Sequence, residues 1–336
     1  MRPSKQEHFA LVNETSEAIW PHLSRRAIPD KGKVFAQDLS PHMQLGLRRR
    51  VGRPLLRPYM ARMCLEATSD RDWRPYAPVL ASIELLNIST YQSNYCFDEK
   101  AGVSDGLSKS NQFISSMLTL CGAIALVDDC PDIAPETRGA IKSLIASVNA
   151  EVYSGQFMDL NILAFDRATD FADRNRFLTH YFRRCDLIAG STFGACVAAA
   201  MGAGAEERVI VLLDEYLRAL GAATQIINDL GDYIPFRTKD YAVPGSDLML
   251  GRLTFPAYVM ITSGLPLQEW RETACTSRAH DGPLQNTERA IRELNIEGQV
   301  RQLVKLHYFP RIRRSIKLLS RALGEDKTAP LSFAYP

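Results

Sequence analysis

The run from Leu220 to Asp232 (Leu-Gly-Ala-Ala-Thr-Gln-Ile-Ile-Asn-Asp-Leu-Gly-Asp) carries an apolar helical pattern into polar and acidic side chains. Asn228 and Asp232 are four apart, which on a helix stacks them on one face a turn from each other. Asp229 lies roughly 100° round and reaches the same ion from the side. Carboxylate and amide oxygens converging beside Gln225 suit a hard cation such as Mg2+, which commonly bridges to a substrate phosphate. The same spacing also describes an ordinary solvated helix face, so the motif gains weight only from its company.

Positioning such a helix end requires a large apolar frame, and the chain supplies one. It has 336 residues, 46% of them hydrophobic, enough to bury a sizeable core. Apolar spacing predicts helices over 55–68, 76–97, 113–127, 141–163, 174–201, 206–232, 253–262, 287–294 and 299–323, while period-two alternation is scarce. Pro58 sits near a helix start, where a missing N–H costs little. The organisation predicted is a helical leading segment over 1–50 divided by Pro21, Pro29 and Pro41, a helical body over 51–323, and a loose tail over 324–336.

Lys and Arg total 40 against 38 acidic residues, a net charge of +2, which argues against a nucleic-acid partner. The clusters Arg48 to Arg50 and Arg311 to Arg314 read as solvated helix surface. The polar N-terminus lacks the apolar stretch of a signal peptide, and no apolar run is expected to span a membrane. Seven scattered cysteines without a C-x-x-C pair fit thiols in a reducing cytoplasm. A cytoplasmic protein is expected.

The order of motifs resembles the trans-isoprenyl diphosphate synthase (polyprenyl synthetase) family. The chain offers Gly-Arg-Pro-Leu-Leu-Arg-Pro over 52–58, Glu84-Leu85-Leu86 leading to Asp98, and Gly155-Gln156 with Asp159. Arg183-Arg184, Gln225 to Asp232, and Gly245 to Pro256 (Gly-Ser-Asp-Leu-Met-Leu-Gly-Arg-Leu-Thr-Phe-Pro) follow in the family's order. The resemblance implies an all-α helical bundle with a central apolar cavity, Mg2+ as cofactor, a prenyl diphosphate substrate and a homodimer. It implies metal-binding by Asn94, Asp98, Asn228, Asp229 and Asp232, with Asp98, Asp229 and Asp232 essential to catalysis. Arg57, Arg183, Arg184, Gln225 and Arg252 would bind diphosphate, and the two acidic helix ends would face each other. Ser89, Thr90 and Tyr95 would line the prenyl pocket; small residues at 89 and 90 suit a C15 or C20 chain, or simply close helix packing.

The departures point to a divergent member. The family's first Asp-Asp-x-x-Asp falls on Asn94-Tyr95-Cys96-Phe97-Asp98, and the second reads Asn-Asp-x-x-Asp. The family lysine for isopentenyl diphosphate aligns with Pro54, its His or Gln with Asn87, and its Arg-Arg pair with 103–105, which contain no cation. A diphosphate needs several positioned cations or N–H donors. The reading that follows is an enzyme that ionises a prenyl diphosphate and passes it to an acceptor other than isopentenyl diphosphate. Alternatives are a terpene cyclase, whose third ligand position is here Phe236, and a non-catalytic subunit paired with an active synthase. Asp128-Asp129-Cys130-Pro131-Asp132 matches the acidic motif literally, but Pro131 and Pro135 favour a surface turn and helix start.

Overall fold

The computed structural model describes residues 5–26, 54–97, 109–233, 246–276 and 281–331. The named elements among them are all helical, as the apolar spacing predicts. The chain groups into two units, one of residues 1–150, 191–218 and 312–336, the other of 151–190 and 219–311.

In the first unit α1 (Lys5–Arg26) runs straight through Pro21, which was expected to divide it. Pro21 is on an exposed face, where water can satisfy the carbonyl that loses its partner. Pro29 and Pro41 lie outside the described residues. Leu56–Thr68 forms α2, with Pro58 in its first turn as anticipated. The helix α3 (Ala77–Phe97) is buried on every side from Ala77 to Thr90, including Ser82, Glu84, Asn87 and Ser89. It packs on α4 (Lys109–Leu126). There Ser89 Oγ donates to the Ser116 carbonyl at 3.0 Å and Ser116 Oγ donates to the Ser89 carbonyl at 2.9 Å. Thr90 donates to the Asn87 carbonyl of its own helix. Close packing is therefore what Ser89 does. The tail expected to be loose is docked as far as Leu331, whose carbonyl accepts from the buried Tyr216 hydroxyl at 2.5 Å.

The long α5 (Pro135–Asn161) passes from the first unit into the second, where α6 (Arg174–Cys185) begins with Asp173 accepting the Asn175 N–H. A π turn over Asp186–Gly190 interrupts the helix expected across 174–201. Glu207–Gly231 forms α7, followed by α8 (Ser246–Leu250), α9 (Phe255–Thr262), α10 (Leu267–Thr276), α11 (Asp281–Glu293), α12 (Ile296–His307) and α13 (Phe309–Leu323). The single helix expected over 299–323 breaks at Tyr308, because Pro310 has no N–H to continue it and sits in the first turn of a new one. Within the second unit the rings of Phe177 and Tyr258 stack at 3.9 Å, fixing α6 against α9.

Two stretches, 109–129 and 174–202, are long and apolar enough to cross a membrane by length and composition, contrary to expectation. Neutral Ser, Thr, Gly and Cys break the apolar run to the eye yet add no charge. The apolar window of 174–202 is 83% buried, as in a core helix, whereas that of 109–129 is 39% buried.

Candidate active site

Four motifs that are far apart in sequence meet in the second unit. Gly155 lets α5 approach the π turn closely: a Cβ there would stand 2.5 Å from Ile188 Cγ1. That places Asp159, one turn on, against the last turn of α6. Arg184 clamps Asp159 with two parallel bonds, Nε to Oδ1 at 2.7 Å and Nη2 to Oδ2 at 3.0 Å. Its remaining terminal nitrogen donates to Asp229 Oδ2 at 2.6 Å. Tyr181, one turn before Arg184, donates to the same Asp229 oxygen at 2.7 Å, and Gln225 Nε2 donates to Oδ1 at 2.8 Å.

Asp159, Arg184 and Asp229 are each at most 3% exposed, so this is a buried ion triad. Burial alone would lower the Arg184 pKa, but the Asp159 and Asp229 carboxylates hold it well above its ordinary value. Burial, then the Asp229 charge, pushes the Tyr181 hydroxyl up, keeping it a neutral donor.

The network continues through Arg252. Its Nη1 lies 3.9 Å from Asp159 and 3.7 Å from Asp247. A bridge pairing Ala164 with Arg252 carries it, with the Phe165 N–H donating to the Gly251 carbonyl and the Leu253 N–H to the Leu163 carbonyl, both at 2.8 Å. Gly251 turns this corner at φ +66°, a left-handed conformation suited to glycine. Asp232 Oδ2 accepts the Asp247 N–H at 2.6 Å, linking the end of α7 to α8. Burial, then the neighbouring Asp232, raises the Asp247 pKa well above the usual carboxylate range, against the pull of Arg252.

The geometry divides the residues singled out in the sequence. Asn228 is exposed and Asp232 half-buried at the end of α7, while Asp229 points inward with both oxygens engaged. Arg184 is as deeply committed, whereas Arg183, its neighbour, is exposed. Asp159, Tyr181 and Asp247 join the network without having been named as site residues. The first and last stood inside quoted motifs, and Tyr181 precedes Arg184 by one helical turn.

In the first unit Asn94 is half-buried in the last turn of α3, and its Oδ1 has no partner among the described residues. Arg57 donates from Nη2 to Thr192 Oγ1 at 3.1 Å and lies over the Phe193 ring, its Nε unpartnered. Asn87 donates to the buried Glu84. Asp98, Arg53, Phe236, residues 103–105 and the Tyr95 side chain lie outside the described residues, and with Asp98 the expected opposition of acidic helix ends.

Among the described residues no group of three or more His, Cys, Asp or Glu is set to hold a metal. At the end of α7 the exposed Asn228 and half-buried Asp232 offer oxygens that fit Mg2+ in kind though sparse in number. The literal acidic motif is a surface turn: Val127–Asp129 is a 3-10 turn, Pro135 starts α5, and Lys142 lies 2.6 Å from Asp128. If the chain releases pyrophosphate from a prenyl diphosphate, as the family resemblance implies, Asp129→Ala should leave that release within about twofold of the parent, surface changes being small in effect. A loss of tenfold would restore that turn as a site.

Comparison with known proteins gives the class first. The fold is that of the prenyl diphosphate synthases: a Caulobacter crescentus polyprenyl synthase, solved with calcium and isoprenyl diphosphate, superposes with a TM-score of 0.73 at 17% identity over 98% of both chains. A geranylgeranyl pyrophosphate synthetase from the archaeon Geoglobus acetivorans gives 0.73 at 18% identity, over 94% of this chain and 98% of that one. The polyprenyl synthetase family model matches residues 94–290, and the chain belongs to that family. Among sequences, a decaprenyl-diphosphate synthase of Dictyostelium discoideum is 24% identical over 178 residues, 52% of this chain and 36% of its own length. A probable mitochondrial hexaprenyl pyrophosphate synthase of Neurospora crassa is 27% identical over 190 residues, 56% of this chain and 42% of its own. The matched part of this chain thus spans well under half the length of these relatives.

Proposed function

We propose that the protein is a Mg2+-dependent prenyltransferase that ionises an allylic prenyl diphosphate of C15 to C20 and couples it to an acceptor other than isopentenyl diphosphate. The observation that carries this reading is the convergence of Asp159, Arg184, Asp229, Asp232 and Arg252, from separate motifs, on one network. Bound Mg2+ would neutralise charge building on the departing diphosphate. Asn228 and Asp232, with Asn94 and Asp98, are the oxygens proposed to hold it.

Arg183 and Arg252 are the cations proposed to meet the diphosphate; Arg184 instead fixes Asp229, and so the direction in which Asn228 and Asp232 point. On the acceptor side, Arg57 is the retained cation, while Pro54 and Asn87 supply none, and Asn87 pairs with a buried carboxylate. This supports an acceptor lacking a diphosphate. A homodimer is part of the proposal, through the α4 face on which Phe113, Ile114 and Met117 are 39%, 45% and 36% exposed.

The test is incubation of the protein and Mg2+ with C10, C15 and C20 allylic diphosphates, with and without isopentenyl diphosphate. Pyrophosphate release that isopentenyl diphosphate neither requires nor consumes is expected. Efficient elongation would refute the acceptor claim, and no release under any condition would favour a non-catalytic subunit.

A metal prediction arises directly from the donor count. Mg2+ alone should bind weakly, and pyrophosphate should tighten it by at least tenfold, since the ligand supplies oxygens that the protein lacks. Calorimetric titration with and without pyrophosphate decides this; equal affinity in both would contradict the sparse donor set.

A further inference from the structure

We propose that the outer face of α13 docks the protein on an anionic lipid bilayer. From Tyr308 to Gly324 the sequence has no acidic residue. In the first unit's part of this helix Ile312, Ser315 and Leu319 are buried, and Arg313, Arg314, Lys317 and Arg321 are exposed. By helical geometry these four cations fall within an arc of roughly 100°, opposite the buried line, along roughly 12 Å of helix. The result is an amphipathic helix whose apolar side is used in the core and whose charged side is uniformly basic.

Several surface cations elsewhere are neutralised locally. Arg167 pairs with Asp170, Arg218 with Asp214, Arg301 with Glu297 and Lys327 with Asp70. Arg314, Lys317 and Arg321 pair with no carboxylate among the described residues, and their own helix has none to offer at i±3 or i±4. The whole chain is only +2, so placing five cations on α13 leaves the remainder net acidic. Charge is segregated onto one helix, which orients the molecule in the field of an anionic surface.

Four or more basic residues on one face of an amphipathic helix match the surface of a bilayer rich in anionic lipid, where each contributes about fivefold to binding. The choice of lipid over another polyanion rests on the prenyltransferase reading. A C15 or C20 chain partitions reversibly into a bilayer, so a protein held at that surface meets substrate that gathers there.

The experiment is cosedimentation of the full chain with vesicles of phosphatidylcholine alone and with about 30% phosphatidylserine, the anionic lipid setting the surface potential. Binding to the second only, lost between about 0.1 and 0.5 M salt as the Debye length shortens, is expected. R313Q/R314Q/K317Q/R321Q should weaken it by about 1000-fold. If that variant melts early, R314Q and K317Q should each cost about fivefold. Binding unaffected by these changes, equal binding to both vesicles, or no binding overturns the proposal. So does displacement from the vesicles by duplex DNA at matched charge, which would make the face a nucleic-acid surface. Pyrophosphate release measured without vesicles separates the two readings. An active protein that ignores vesicles refutes docking alone, and an inactive one that binds them refutes the enzyme reading and leaves the surface.

Discussion

Asp229→Ala should destabilise the second unit by about 3–5 kcal/mol, the usual cost of breaking a buried ion pair from one side. The substitution strips Arg184 of the carboxylate 2.6 Å from Nη1, and leaves Tyr181 and Gln225 donating to nothing. A guanidinium 3% exposed has no water to turn to. Asp229→Asn keeps the shape and one acceptor oxygen, so it should cost less than the alanine change while still losing the charge. Urea unfolding of the three proteins measures the ranking. An alanine variant as stable as the parent would mean that the triad does not hold α7. At a temperature where the variant stays folded, pyrophosphate release should remain nearly abolished, because the end of α7 loses the contact that aims Asn228 and Asp232.

The second large effect concerns the residues proposed to face the metal. Asp98→Ala and Asp232→Ala should each lower pyrophosphate release by roughly 100- to 1000-fold, the scale set by removing one positioned charge-stabilising group. Few carboxylates remain to share the load, since Asn94 and Asn228 stand where the family places acids. Asp232→Ala should also cost about 1 kcal/mol, for its bond to the Asp247 N–H is of helix-cap type. Restoring a family acid with Tyr95→Asp should not create chain elongation, because Pro54 and Asn87 still supply no cation on the acceptor side. Product analysis with a C15 diphosphate plus isopentenyl diphosphate checks both claims. Near-parental release from Asp98→Ala would remove it from the site, and a C20 diphosphate from Tyr95→Asp would show that the acceptor side is intact.

The helices were legible where apolar residues recur at helical spacing over several turns, as in α3, α4 and α7. The helix α10 was not, since Leu267 is the one buried large side chain among its described residues and Gln268, Glu269, Arg271 and Glu272 dilute the apolar pattern. The break at Tyr308 is set by Pro310, whose effect is local and readable, yet the strong pattern on both sides reads as continuous. For the site, the order of motifs singled out Arg184, Asp229 and Arg252, which the structure joins in one network, but not the contacts that they make there. Asp229 and Asn228 are neighbours in sequence and differ by one step of helix rotation. Asp229 is the one that turns inward, and it meets Arg184, 45 positions away, a partner that no local pattern names. Asp128 and Asp129 illustrate the converse: a literal motif whose prolines already told of a turn.

The mutual Ser89–Ser116 bonds bear on any attempt to re-engineer this protein. Placing an aromatic ring at position 89 to shorten the chain that a neighbouring pocket accepts presumes that the position borders open volume. Here it borders another backbone, with each serine closing on the opposite helix's carbonyl. A larger residue would wedge α3 and α4 apart and strand two hydroxyl partners in a dry interface. On the prenyltransferase reading, tailoring product size would start from other positions, and libraries that vary Ser89 are expected to sample folding defects rather than new chain lengths.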